Sequence, residues 1–139
     1  MMLCELCETT DETLLWRGDL CRVVLVEDAD YPGFCRVIWN RHTKEMTDLD
    51  KDEQQAFMNV VFVVENVLRE VMQPDKINLA SLGNMTPHLH WHVIPRYVLD
   101  KHFPNPIWGT PQRAGTAKPP SDWRAELSQR IHRQLQTSI

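Results

Sequence analysis

The chain has 139 residues, 42% apolar and 24% charged, with nine Pro and five Gly, a mix that suits one globular domain and excludes collagen-like or low-complexity sequence. Fifteen Lys and Arg against nineteen Asp and Glu leave a formal charge of -4, so no general nucleic-acid binding is expected, because such binders need a basic face to displace counterions. The longest aliphatic and aromatic run, Val60-Val61-Phe62-Val63-Val64, falls far short of the roughly 20 residues of a membrane span.

Met1, Met2 and Leu3 open no basic or apolar leader, which points to the cytoplasm. Cys4, Cys7, Cys21 and Cys35 are then expected as free thiols or metal ligands rather than as disulfides. Residues 13–16 read as a first strand, followed by a Gly18-Asp19 turn. Residues 21–26, β-branched and bounded by turn residues, read as a second strand. Acidic residues followed by Pro32-Gly33 form a loop over 27–33, and residues 34–39 return as a third strand, antiparallel to the second.

One long helix follows. Asp50 caps it and Glu53, three residues on, completes a capping box. Phe57, Val60, Val61, Val64, Leu68 and Val71 recur at helical steps on one face, and Pro74 ends the run. Residues 76–82 predict a fourth strand, broken by Gly83, and residues 87–96 a fifth. The stretch 101–121 carries Pro104, Pro106, Pro111, Pro119 and Pro120 and reads as an extended arm. A final helix over 123–136 has Trp123, Leu127, Ile131 and Leu135 on one stripe. Short of core residues, it is expected to dock on the domain surface or on a second subunit. Short turns on either side of one helix favour an α+β fold: an antiparallel five-stranded sheet with the long helix packed on it, plus a C-terminal helix.

The chemistry concentrates in Gly83-Asn84-Met85-Thr86-Pro87-His88-Leu89-His90-Trp91-His92-Val93-Ile94-Pro95-Arg96. In a strand, alternate side chains share a face, so His88, His90 and His92 line one side while Leu89, Trp91 and Val93 anchor the other. The bland alternative is a half-solvated sheet face. Two functional readings compete with it. The imidazoles hold a metal, or one attacks an electrophile and a neighbour supplies a proton. Cys4-x-x-Cys7 adds a pair with zinc-ligand spacing, although the same spacing serves redox sites. Cys21 and Cys35 alternate with apolar strand residues and read as small core residues. His102 and His132 show no partner pattern and read as surface residues. The remaining tryptophans, Trp16, Trp39, Trp108 and Trp123, read as core or interface area.

The run His88-Leu89-His90-Trp91-His92-Val93-Ile94 resembles the signature of the histidine triad (HIT) superfamily. Asn78 in the strand 77–79, the pair Gly83-Asn84, Cys4-x-x-Cys7 and the strand ending Val37-Ile38-Trp39-Asn40-Arg41-His42 fit the same pattern. The resemblance covers roughly residues 4–108, so that 1–108 is taken as the HIT domain and 109–139 as a Pro-rich arm and C-terminal helix.

That resemblance implies a nucleotide hydrolase acting at the α-phosphate through a nucleotidyl-histidine intermediate, on diadenosine polyphosphates or AMP conjugates. His90 is the implied nucleophile, its Nδ1–H bonded to a backbone carbonyl such as that of His88. His92 is implied to contact the phosphate and help protonate the leaving group, with His88 completing the triad. Gly83 and Asn84 are the expected phosphate-side donors, Asn78 orients the site loop, and Asp28, with Glu27 second, accepts from the ribose. A histidine rather than glutamine at position 92 favours hydrolysis over nucleotidyl transfer. Met85 departs from the family, where many members place a Ser or Thr near the leaving group. Zinc-bearing relatives imply a structural Zn²⁺ on Cys4, Cys7, His42 and His88, and members pair as homodimers. A non-catalytic or weakly active nucleotide-binding module with this fold is the alternative. A catalytic ion shared by all three triad histidines is disfavoured by their spread along a strand.

Overall fold

The computed structural model describes residues 4–8, 11–115 and 117–137. The expectation at Met1, Met2 and Leu3, and Thr116 within the arm, lie outside the described residues. Five strands form one antiparallel sheet: β1 (Thr13–Arg17), β2 (Cys21–Leu25), β3 (Cys35–Trp39), β4 (Lys76–Ala80) and β5 (His90–Arg96), in the spatial order β1-β2-β3-β5-β4. The helix α1 (Lys51–Met72) lies between β3 and β4 in sequence, and α2 (Trp123–Thr137) ends the described chain. This is the α+β arrangement expected. Among the described residues, no helix is long and apolar enough to cross a membrane.

Alternation along the strands assigns the two faces. Val23 pairs with Val37, and Cys35 with Val93. All four have no exposed surface and belong to the main core. The helix α1 covers this face with Phe57, Val61, Val64 and Leu68, likewise fully buried. Its first turn is closed as expected: the Asp50 carboxylate accepts from the Glu53 N–H at 2.8 Å, and the Glu53 carboxylate accepts from the Asp50 N–H at 3.0 Å. Gln73 terminates it in the left-handed region (φ 51°) just before Pro74. A 3-10 turn at Met46–Asp48, not anticipated, leads into α1.

Two expectations need correction. The C-terminal helix does not sit on the outside of the domain: Leu127, Ile131 and Leu135 are buried in the main core, where α2 packs on α1 and β1 of the same chain. Three apolar side chains on one stripe suffice, because α1 and β1 leave an apolar surface for them. The strands flanking Gly83 are also shorter than expected. β4 stops at Ala80 and β5 starts at His90. Pro87 has no N–H to give a ladder, and Leu89 bonds elsewhere, its N–H donating to the Thr43 carbonyl at 2.8 Å and its carbonyl accepting from the Trp39 N–H at 3.0 Å. His88 therefore precedes the strand rather than lying within it.

Candidate functional site

The second face of the sheet carries the site. Leu89, just before β5, and Val93 on it enter the core, while His90 and His92 emerge opposite, beside Ile38 and Arg36 of β3 and Ala80 of β4. The two rings meet edge-on, centroids 4.9 Å apart. His90 Nδ1 lies 2.6 Å from the His88 carbonyl oxygen, the contact expected from the sequence. A carbonyl only accepts, so Nδ1 carries the proton and Nε2 keeps its lone pair. Burial, and then the positive field of Arg36, hold this ring below the usual histidine range, against the opposing pull of the carbonyl. His92 is pushed further, to about 3, by burial first and by His90 and Arg36 next. It is neutral at pH 7, and its buried Nδ1 has no partner.

His88 faces away from this pair. Its Nε2 lies 2.6 Å from the Trp39 carbonyl, which makes Nε2 the donor and frees Nδ1. Around Nδ1 stand Cys4 Sγ at 3.3 Å, Cys7 Sγ at 3.5 Å and His42 Nδ1 at 3.2 Å. The Cys7 thiol also lies 3.5 Å from His42 Nδ1. All four ligand atoms fall within 4.8 Å of one another. A tetrahedral ion about 2.0–2.3 Å from N and S ligands separates those ligands by roughly 3.3–3.8 Å, so these residues fit a closed four-coordinate site. The carbonyl bond on the far nitrogen supplies the support that fixes a ligand imidazole. With both His88 nitrogens so placed, one ion cannot serve the whole triad.

Arg22 explains why a short N-terminal segment reaches this far. Buried on β2, it donates to the Leu6 carbonyl at 2.7 Å and to the Glu12 carboxylate at 2.9 Å. Leu6 packs on Val24 and Ile38 beneath it, with Cys4 alongside. Neither Arg22 nor its pairing with Glu12 was anticipated, since an Arg in a strand pattern looks solvent-facing.

The other expected residues are dispersed. Gly83 has φ +127°, a region essentially reserved for glycine, and Asn84 follows it in the exposed loop before His88. Met85 is 97% exposed and brings no hydroxyl of its own to that position. Asp28 closes its own loop, accepting from the Asp30 N–H at 2.9 Å. The Glu27 carboxylate is taken by Arg124 of α2. The Asn78 carbonyl oxygen accepts from Arg96 at 2.7 Å, while Arg96 grips both oxygens of Asp100. Asn78 thus helps anchor the arm. His102 is not a surface residue as expected: it stacks on Tyr31, with Nδ1 2.6 Å from the phenol oxygen.

Four neighbours of the triad were missed. Trp108 of the arm and Phe34 present ring edges to His92, with centroids at 4.9 and 5.6 Å. The Ser81 hydroxyl donates to the His90 carbonyl at 2.8 Å. Arg36 opposes His92 across β3 and β5. Only for Arg36 did the sequence hold a signal, a cation at an alternate position of an otherwise apolar strand.

Comparison with known proteins agrees with this geometry. A family model described as the HIT domain matches residues 8–99. An Ap4A phosphorylase of Mycobacterium tuberculosis is 34% identical over 100 residues, 68% of this chain and 51% of the relative. A bis(5'-adenosyl)-triphosphatase of Saccharomyces cerevisiae is 29% identical over 75 residues, 50% of this chain and 36% of the relative. The chain thus spans about half or less of the curated relatives it matches. The crystal structure of a histidine triad protein from Bradyrhizobium japonicum superposes with a TM-score of 0.72 at 30% identity, covering 88% of this chain and 90% of that one.

Proposed function

The chain belongs to the histidine triad (HIT) family, and from that premise we propose that it hydrolyses nucleotides at the α-phosphate through a nucleotidyl-histidine intermediate. The substrates are of the diadenosine polyphosphate or AMP-conjugate type. The observation that carries this reading is the 2.6 Å bond from His90 Nδ1 to the His88 carbonyl, because it leaves Nε2 unprotonated and free to attack. The names of the curated relatives, both adenosine polyphosphate enzymes, support the substrate class.

In the first step the Nε2 lone pair forms a bond to phosphorus while the bond to the leaving group breaks. The leaving atom needs a proton. His92 is neutral in the free protein, but a phosphate brought against its ring favours the protonated form, so substrate binding loads the proton that is then donated. Backbone N–H groups at Gly83 and Asn84 serve the phosphoryl oxygens as charge develops. Asp28 accepts from the ribose hydroxyls. In the second step a water oxygen bonds to phosphorus, the P–N bond breaks with its pair returning to Nε2, and a proton passes to solvent.

Cys4, Cys7, His42 and His88 would hold Zn²⁺, which when bound ties the N-terminal segment to the end of the triad; a closed set of four ligands leaves no open position for chemistry. Free cysteines suit a reducing cytoplasm. A homodimer is supported by the edge of β4, which no strand covers among the described residues, with exposed Leu79 and Leu82 nearby, and by exposed Phe62 on α1.

The test is a panel of diadenosine polyphosphates and adenosine phosphoramidates, with a rapid denaturing quench at alkaline pH, where a P–N bond survives, and mapping of any nucleotidyl adduct. An adduct on His90, and loss of AMP release in His90→Ala, are expected. Turnover by His90→Ala near the parent rate, or an adduct elsewhere, overturns the assignment.

A further inference from the structure

The segment after β5 turns back over the strand that carries the triad. His90, His92, Ile94 and Arg96 alternate along one face of β5, and the arm retraces them in reverse. Arg96 donates to the Asn105 carbonyl at 2.7 Å, Ile107 packs on the cluster of Tyr31, Phe34 and Ile94, and Trp108 meets the His92 ring. Trp108 thus reaches His92 from the end of the strand away from His90. The turn that presents it is tied down: the Gly109 N–H donates to the Pro106 carbonyl at 2.9 Å, and the Asn105 amide to the Thr110 carbonyl at 3.1 Å. Even so, Trp108 is 51% exposed. Single exposed apolar side chains are ordinary. This one differs in its fixed contact with the residue that protonates the leaving group.

That proton transfer restricts what reaches the indole. His92 donates to the leaving atom, which must then come within about 3 Å of a His92 nitrogen. The indole centroid is 4.9 Å from the His92 centroid, so a substituent on the leaving atom can lie against it. In-line attack points the leaving atom away from His90, which is the direction from which Trp108 arrives. The other ring on His92, Phe34, is only 3% exposed and has almost no surface to give. The loop between β4 and β5, with Met85 where a hydroxyl is missing, adds exposed Leu82 and Met85. Apolar surface rather than a hydroxyl is what these two segments offer the leaving group.

We propose that Trp108 is the contact surface for the leaving group, and that it makes the site selective, among AMP conjugates, for those carrying a flat apolar group close to the leaving atom. The proposal rests on the roles given to His90 and His92 and deepens that reading by naming the leaving group. A ring that only kept water from His92 would act alike on every substrate. A stacking surface acts on those that bring a ring of their own.

The ethyl and phenethyl esters of AMP test this by calorimetry without turnover, because their alkoxides leave poorly. The intact protein is expected to bind the phenethyl ester about tenfold more tightly, the effect of burying and stacking one ring. In Trp108→Ala that gap closes, and Trp108→Phe, which keeps a flat ring, retains most of it. The ratio of kcat/KM for the N-phenethyl phosphoramidate of AMP to that for the N-ethyl compound falls in the same order; the intrinsic difference between the two amines cancels between variants. A gap under about threefold in the parent protein overturns the proposal, as does a gap unchanged in Trp108→Ala or an equal weakening of both esters. Should Trp108→Ala fail to fold, Trp108→Leu, which keeps apolar volume without a flat ring, decides on the same terms, its gap falling below that of Trp108→Phe. Failure of the ester comparison leaves the His90 adduct standing, while absence of that adduct leaves the ester gap measurable.

Discussion

At the scale of single residues, the charge state of His92 is the most consequential quantity. Burial holds its folded pKa near 3, below the unfolded value of 6.5. Between those values the unfolded chain binds the extra proton, so stability is full above about pH 6.5 and is lost as pH falls toward 3. Denaturant unfolding at pH 7 and pH 5 should show a fall in midpoint, and the fall should be smaller in His92→Asn. Equal falls in the two proteins would show that His92 does not titrate this way. A second residue-scale prediction concerns Arg96. Replacing it with Met leaves Asp100 buried without its partner, which should cost about 3–5 kcal/mol in chemical denaturation. The His88–His90–His92 spacing was legible because alternation is a local property of a strand. The contacts of Arg36, Trp108 and Asn78 were not, because each depends on which strand or arm arrives beside it, and one sequence carries no record of that pairing.

At the scale of elements, α1 was readable nearly end to end. Its cap, its apolar face and its stop at Pro74 are all signals within a few residues of one another. Asp50→Ala should remove the N-terminal cap for a loss of about 1 kcal/mol, read from the denaturant midpoint. The α2 helix shows the limit of such signals. The stripe Leu127, Ile131 and Leu135 was visible in the sequence, but a stripe gives the width of a buried face and not the identity of what covers it. Since Ile131 is fully buried in the main core, Ile131→Ala should cost about 2–5 kcal/mol. A loss under about 0.5 kcal/mol, the range of a surface change, would contradict the packing of α2. The triad strand was placed correctly but begun too early, because a periodic pattern does not reveal that Pro87 gives the ladder no donor and that Leu89 bonds to Thr43 and Trp39 instead.

At the scale of the molecule, the Cys4, Cys7, His42 and His88 cluster joins three distant stretches of chain. Purified protein is expected to carry close to one zinc per chain. Chelation should lower its thermal midpoint, whereas Cys7→Ser, already lacking the ion, should show no further drop on chelation. Zinc far below stoichiometry in protein never exposed to chelator would remove the ion from the account. The pairing Cys4-x-x-Cys7 was legible as a pair; its completion by His42 and His88 came from family resemblance alone, since nothing local links positions separated by 35 and 81 residues from Cys7. His88 has a double office within this knot. Its ring is one corner of the cluster, and its peptide oxygen is the stop against which His90 is oriented. Starving the chain of its ion would therefore spare every reacting side chain and still blunt the reaction, by letting the aim of one nitrogen drift.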